Sequence, residues 1–186
     1  MVIRSGTIED AEKIAQLIMT AMSDDCCRYF YGNKYTSDDF LRVMTNMVRQ
    51  KDSQYSYYNT ICAVEDNKVV GISVSYDGKR LTELRQCFIK TMLKEFNRDF
   101  SNMPDETSEG ELYLDSLAVD SDYRGRGFAK ELLKATKQKA MSMGIDKLGL
   151  LVDVNNPSAE KLYVSVGFSF VNQNRWGGHD MKHFQW

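Results

Sequence analysis

The segment Arg124-Gly125-Arg126-Gly127-Phe128-Ala129 stands between a strand-like run and a long amphipathic one, and this junction constrains the fold more than any other part of the chain. Leu112 to Val119 reads as a strand. Gly127 to Met143 has helical spacing and is closed by Gly144, a usual helix stop. Leu148 to Val154 is nearly all apolar, as expected of a central strand covered on both faces. Pro157 suits a first helical turn, and the helix it opens runs to about Val166, where Gly167 ends it. Ser169–Val171 and Met181–Phe184 complete the order as strands. Strand, loop, helix, strand, helix, strand calls for a mixed α/β sheet.

The first half extends the same pattern. Val2–Ser5 predicts a short strand, and Thr7 an N-cap with Asp10 supplying a carboxylate to the first turn. Ala11, Ile14, Ala15, Ile18 and Met22 then share one helical face. Asp24 to Tyr35, rich in aromatic and charged residues, reads as a loop. A second helix after Ser37 carries Phe40, Val43, Met44 and Met47. Thr60–Val64 and Val69–Val74 are strands joined by Asp66-Asn67, a pair that tolerates the positive φ of a tight hairpin. After Gly78 a third helical pattern runs through Leu84, Phe88, Met92, Phe96 and Phe100, with Asn102 to Asp105 ending it.

Size and charge narrow the classes. The chain has 186 residues, which makes one domain over 1–186 the expectation, and its formal net charge is -2. That balance gives no electrostatic case for nucleic acid or for a polybasic membrane surface. The four cysteines form no C-x-x-C pair, and the two histidines, His179 and His183, lie far from them, so zinc-ligand spacing is missing and no metal is expected. Cys62, inside an apolar run, reads as a buried thiol. Without an apolar N-terminal h-region or a bilayer-length apolar stretch, a soluble cytoplasmic protein is expected.

The 124–130 loop carries the chemistry. A helix N-terminus offers unpaired N–H groups and a partial positive charge to an anion. Gly125 and Gly127 allow close backbone approach, Arg124 and Arg126 offer charge-assisted hydrogen bonds, Ala129 is small, and Lys130 adds a cation. Alone, the same residues make an ordinary solvated turn; the flanking strand and helix turn the reading towards a pyrophosphate site. Neither a P-loop nor a dinucleotide fingerprint fits the spacing. An RNA-binding reading of Arg124 to Gly127 lacks stacking aromatics and a basic surface.

With these residues in place, the chain resembles the GNAT superfamily of N-acetyltransferases. The family's Gln/Arg-x-x-Gly-x-Gly/Ala loop is matched by Arg124, Gly127 and Ala129. Its later Asn-x-x-Ala, Tyr and Gly-Phe are matched by Asn156, Ala159, Tyr163, Gly167 and Phe168. Leu114 to Val119 resembles the strand before the loop. The likeness is strong from Glu111 to Phe168 and holds in element order over Val2 to Ser75. It implies a GNAT-like mixed, mostly antiparallel central sheet of about six to seven strands flanked by helices. Here an extra helix, within 82–100, stands between strands 3 and 4.

The resemblance also implies chemistry. Acetyl-CoA would be the co-substrate, an amine-bearing molecule the acceptor, and a homodimer is common among relatives. The backbone of Leu117, Ala118 and Val119 would pair with the pantetheine arm, the Val119 N–H facing the thioester carbonyl. Arg124, Gly125, Arg126, Gly127, Phe128, Ala129 and Lys130 would hold the pyrophosphate, and Asn156 would bond to the pantetheine or the nearby strand edge. Tyr163 would be the general acid for the departing thiolate, or else a core tyrosine. For the base, Asp115, Glu111 and a water all stay open, and Asp115 could instead orient the ammonium. Transfer would be direct, in a ternary complex, where holding donor and acceptor together supplies much of the catalysis. A non-catalytic acyl-CoA-binding or sensing module on the same fold would need the loop but neither Tyr163 nor Asp115. The inserted helix reads as packing on the core or as a wall over the acceptor site. Asp24 to Tyr35 and Gln173 to Asp180 are further acceptor-site candidates, and the acceptor's identity stays open from small amine to protein N-terminus.

Overall fold

A computed structural model describes all 186 residues. Seven strands form one sheet: β1 (Val2–Ser5), β2 (Thr60–Glu65), β3 (Lys68–Asp77), β4 (Leu112–Val119), β5 (Leu148–Asp153), β6 (Ser169–Trp176) and β7 (His179–Gln185). Their spatial order is β1-β2-β3-β4-β5-β7-β6. Every pairing is antiparallel except β4 with β5, as the mostly antiparallel expectation required. The six helices are α1 (Ala11–Met22), α2 (Asp24–Tyr31), α3 (Ser37–Val48), α4 (Leu81–Phe96), α5 (Phe128–Ser142) and α6 (Pro157–Val166). No helix is long and apolar enough to cross a membrane.

Local chemistry accounts for most boundaries. The Thr7 N–H donates to Asp10 Oδ2 at 2.9 Å before α1, and Thr36 and Asp39 bond reciprocally at the start of α3. Asp66 and Asn67 both take positive φ, 49° and 60°, so the β2–β3 hairpin closes in two residues. Three expectations are corrected. Asp24–Tyr31 is a helix, not a loop: Ser23 accepts from the Cys26 N–H, and Cys27, Phe30 and Tyr31 are buried together on one face. Its sequence hid this because charged residues occupy the other face of so short a helix. The α4 helix ends at Phe96, where Asn97 takes a left-handed φ of 53°, and Phe100 is buried from the following segment instead. The C-terminal strands extend into a long hairpin through Trp176 and His179, because polar exposed residues on an edge strand carry no apolar alternation.

The sheet has two dissimilar faces. On one, α1, α2, α3 and α4 bury Ile14, Phe30, Phe40, Met44, Phe88 and Met92 against Cys62, Ile72 and Val74. Phe30 meets Phe88 and Phe100 edge-on at 5.0 and 5.3 Å, and burial of each such ring contributes about 2 kcal/mol. On the other, α5 lies close to β3 over small residues. A Cβ on Gly71 would meet Leu132 at 3.2 Å, Ser73 shares a 2.6 Å hydrogen bond with Thr136, and Lys139 Nζ donates to the Ser75 carbonyl at 2.6 Å. These contacts set where the α5 N-terminus stands relative to β4.

β4 and β5 pair at Leu112–Leu148 and Tyr113–Gly149 and then separate. Glu111 pins that junction. Its buried carboxylate accepts from Thr107 at 2.7 Å, His183 at 2.9 Å and Gln185 at 2.8 Å, and it occupies the space a Cβ on Gly149 would fill. Burial pushes its pKa up, yet the hydrogen bonds from His183, Gln185 and Thr107 outweigh that and leave it below the ordinary carboxylate value. Its stabilisation is therefore present above the ordinary carboxylate range and is lost as pH falls through the lowered pKa. We predict that Gly149→Ala destabilises the fold by about 2–3 kcal/mol, read as a fall in Tm of about 5–10 °C by calorimetry. An unchanged Tm would show that the carboxylate is not seated under β5.

Candidate active site

Where β4 leaves β5, its edge opens. The Asp120 N–H donates to the Val70 carbonyl at 2.8 Å on the β3 side. Alternation along an antiparallel pair then turns the N–H groups of Val119 and Leu117 to the opposite edge, towards the gap beside β5. Ala118 points its side chain into the core instead. The Val119 carbonyl on that edge accepts from Arg124 Nε at 3.1 Å.

At the outer end of β4 the loop turns into α5. Gly125 and Gly127 hold φ of 74° and 86°, with nothing near either Cα on the side where a Cβ would stand. The first amide donating back into the helix is Lys130, to the Gly127 carbonyl at 3.1 Å. The five consecutive N–H groups of Gly125 to Ala129 meet no acceptor in the protein, and no side chain caps the helix. This is an anion nest built from backbone. The side chains contribute unequally. Phe128 is buried against Ala63 and Val70 and anchors the loop, while Lys130 is exposed. Arg126, read from sequence as a pyrophosphate ligand, pairs with Glu65 at 2.7 Å and lies over the rings of Tyr123 and Phe128.

Inward of the loop, the gap between β4 and β5 widens into a cavity of about 770 Å³. It brings together Asp115, Leu117, Asn156 and Tyr163 from the sequence-derived set, and both acceptor-site candidates reach it: Asp25, Cys26, Tyr29 and Phe30 from α2, and Trp176 to His179 from the β6–β7 turn. Glu111 is not among its walls; its carboxylate is engaged by Thr107, His183 and Gln185 beneath the junction. The α4 helix packs on the core through Leu84, Phe88 and Met92, whereas the segment after it, Asp99 to Glu106, walls the cavity. Both readings of the insertion thus apply, to different residues.

Asp115 is half-buried and titrates high. Burial raises its pKa to about 6, against lowering by hydrogen bonds from Ser116 and Gln54. Tyr163, on α6, stacks edge-on to Phe168 at 5.5 Å, and burial raises its pKa to about 12, so it keeps its proton across the neutral range. Asn156 caps α6, its Oδ1 accepting from the Ala159 N–H at 3.1 Å, which leaves its Nδ2 for a partner in the cavity. Sequence reasoning missed Gln54, Arg85 and Glu106, all buried polar residues. No local pattern marks them, since each is defined by partners distant in the chain.

The Acetyltransferase (GNAT) family model matches residues 19–168, and the chain belongs to that family. It is similar to YycN, an uncharacterized N-acetyltransferase of Bacillus subtilis, with 43% identity over 63 residues, 34% of this chain and 40% of that protein. To the spermine/spermidine N(1)-acetyltransferase of Bacillus subtilis it is 29% identical over 147 residues, 77% of this chain and 90% of the relative. The structure of an N-acetyltransferase from Staphylococcus aureus Mu50 superposes over 100% of both chains with a TM-score of 0.83 and 25% identity. The matches span less than half the length of the first curated relatives, at 40%, 22% and 46%.

If the backbone nest is the anion site, its glycines matter more than its arginine. We predict that Gly125→Val weakens coenzyme A binding by about tenfold or more with little change in Tm, because the exposed loop relaxes out of positive φ and must be strained again to form the nest. Arg126→Ala should cost less than that. Isothermal titration with equal affinities for wild type and Gly125→Val would remove the nest as the anion site.

Proposed function

We propose that this chain is an N-acetyltransferase that moves the acetyl group of acetyl-CoA directly to a primary amine within a ternary complex. One observation carries the reading: the open edge of β4 leads from an unpaired backbone anion nest into a cavity bearing a high-pKa carboxylate, Asp115, and a protonated phenol, Tyr163. The nest takes the carrier's pyrophosphate, and the edge at Leu117 and Val119 pairs with the pantetheine arm as an added strand would. The Asn156 amide nitrogen donates to the same arm.

The steps assigned to this chain's residues balance in protons. Asp115 accepts a proton from the acceptor's ammonium, freeing the lone pair that attacks the thioester carbon. The Val119 N–H donates to the oxyanion that forms. As the carbon–sulfur bond breaks, Tyr163 gives its proton to the thiolate, and the phenolate recovers one from the nitrogen that becomes the amide. The proton left on Asp115 returns to solvent. Because no acyl-enzyme forms, no cysteine is needed as nucleophile; burial pushes the Cys26 thiol up to about 11.

The acceptor side favours a cation. Asp25, Asp99, Glu106, Asp115 and Asp153 line the cavity, and no Lys or Arg does. Arg85 offsets Glu106, leaving Asp25, Asp99, Asp115 and Asp153 to attract an ammonium group. A polyamine substrate, named for one of the relatives, has that chemistry.

The deciding experiment is thiol release from acetyl-CoA across a panel of amines. We predict that Tyr163→Phe lowers kcat by about a hundredfold or more with little change in acetyl-CoA affinity; wild-type turnover would make Tyr163 structural. Asp115 must be ionised to act, so kcat/KM should fall as pH drops below about 6, and Asp115→Asn should abolish that limb. A chain that only binds the carrier would hold coenzyme A and release no thiol with any amine.

A further inference from the structure

The cavity wall that follows α4 has no ladder of its own. Pro104, Asp105 and Glu106 lie outside every helix and strand, and their backbone makes no hydrogen bond to other backbone. One side chain supplies what is missing. From α4, Arg85 Nη1 donates to the Met103 carbonyl at 3.1 Å and to Asp105 Oδ1 at 3.0 Å. Its Nη2 donates to the Pro104 carbonyl at 3.0 Å and pairs with the Glu106 carboxylate. Each terminal nitrogen carries two hydrogens, so the fork matches four acceptors on four successive residues. Arg85 is 5% exposed and shares a helix face with Phe88 and Met92, which are seated in the aromatic core. The fork is therefore presented from a fixed base. At the other end of the segment, Arg98 donates to the Tyr29 carbonyl at 2.8 Å and lies over the rings of Tyr29 and Phe100.

We propose that Arg85 is a positioning residue for acceptor selectivity: its fork fixes the wall from Met103 to Glu106, and that wall decides which amine reaches Asp115. The inference rests on the reading of the cavity as the acceptor site. Met103, Pro104 and Glu106 line the same cavity as Asp115 and Tyr163, whereas Asp105 stands outside it with its side chain 68% exposed. Glu106 shapes the wall rather than attracting the ammonium, because Tyr76 donates to its Oε1 at 2.9 Å and Arg85 pairs with its Oε2. A lysine cannot stand in for the fork. Its ammonium is a point charge on a flexible stem, with three donors and no fixed plane. One substitution therefore separates the charge at this position from the geometry it imposes.

Arg85→Lys in the full chain is the test, read on spermidine, butylamine, phenethylamine and a short peptide with a free N-terminus. The spread of kcat/KM across these four amines should narrow by about tenfold, mainly through KM, with coenzyme A affinity held. Amide hydrogen exchange at Met103, Asp105 and Glu106 should quicken by about tenfold. Asp105→Ala removes one exposed acceptor without burying a charge, and should move both readouts the same way by about twofold to threefold. Arg80→Met breaks an exposed pair with Glu83 at the start of the same helix and should leave both readouts alone. A fall in kcat by one factor for every amine would mean loosened packing and overturn the proposal, as would an unchanged spread. If the wild type acetylates none of the four, the transferase reading fails and takes the selectivity with it. The hold of Arg85 on the wall then stands or falls on the exchange rates alone.

Discussion

Two residue pairs between parallel strands govern the site. β4 and β5 are joined at Leu112–Leu148 and Tyr113–Gly149, and beyond them each strand keeps an edge free of the other. A longer ladder would satisfy those edges and close the gap; a shorter one would not hold the strands in one sheet. Glu111 anchors the paired end. Its carboxylate lies beneath Gly149 and ties that junction to His183 and Gln185 of β7, while past it Asp115 to Val119 follow β3 alone. The opening is thus anchored at its closed end by a buried, fully engaged charge, which is costly to remove and leaves little freedom in the angle.

The position of the nest follows from the opposite face. α5 approaches the sheet closely because β3 presents Gly71, Ser73 and Ser75 to it, and the helix answers with Thr136 and Lys139. Lys139 donates to the Ser75 and Asn59 carbonyls without a carboxylate partner, and burial lowers its pKa to about 8. That arrangement holds the helix in one register against the strand whose neighbour carries Val119. The five free amides of the loop therefore stand in line with the open edge of β4, so one extended ligand can satisfy both.

Legibility in the sequence divides along the same line. β4, the loop, α5, β5 and α6 are each recognisable from contiguous residues, since period, capping and glycine placement are local. Phe128 shows the limit of that method: it lies in the loop, but its side chain is a core anchor and only its amide faces the nest. Arg126 shows another, because nothing near it in sequence announces Glu65. α2 stayed hidden because its buried face is three residues in eight, and its stability comes from Phe30 meeting Phe40, Phe88 and Phe100, contributed by three other segments. Gln54, Arg85 and Glu106 are polar residues in polar surroundings until the fold buries them.

This asymmetry has a consequence for how such a site can change. The nest and the open edge of β4 are made of backbone groups on two adjoining elements, so most side-chain substitutions leave their geometry in place. The cavity's other walls are side chains from α2, the stretch before β2, the segment after α4 and the β6–β7 turn, none of which is continuous with another. α2 and the segment after α4 are held by the aromatic core and by Arg85, whereas the β6–β7 turn is closed by the ladder pair of Trp176 with His179. Replacing one alters the cavity's charge and shape while β4, the nest and Tyr163 remain where they are. On the proposed reading, a fixed donor seat beside a separately supported acceptor wall would let one acyl-transfer geometry serve different amines. In this chain the inserted α4 braces that wall through Arg85, which holds Asp105, Glu106 and the carbonyls of Met103 and Pro104.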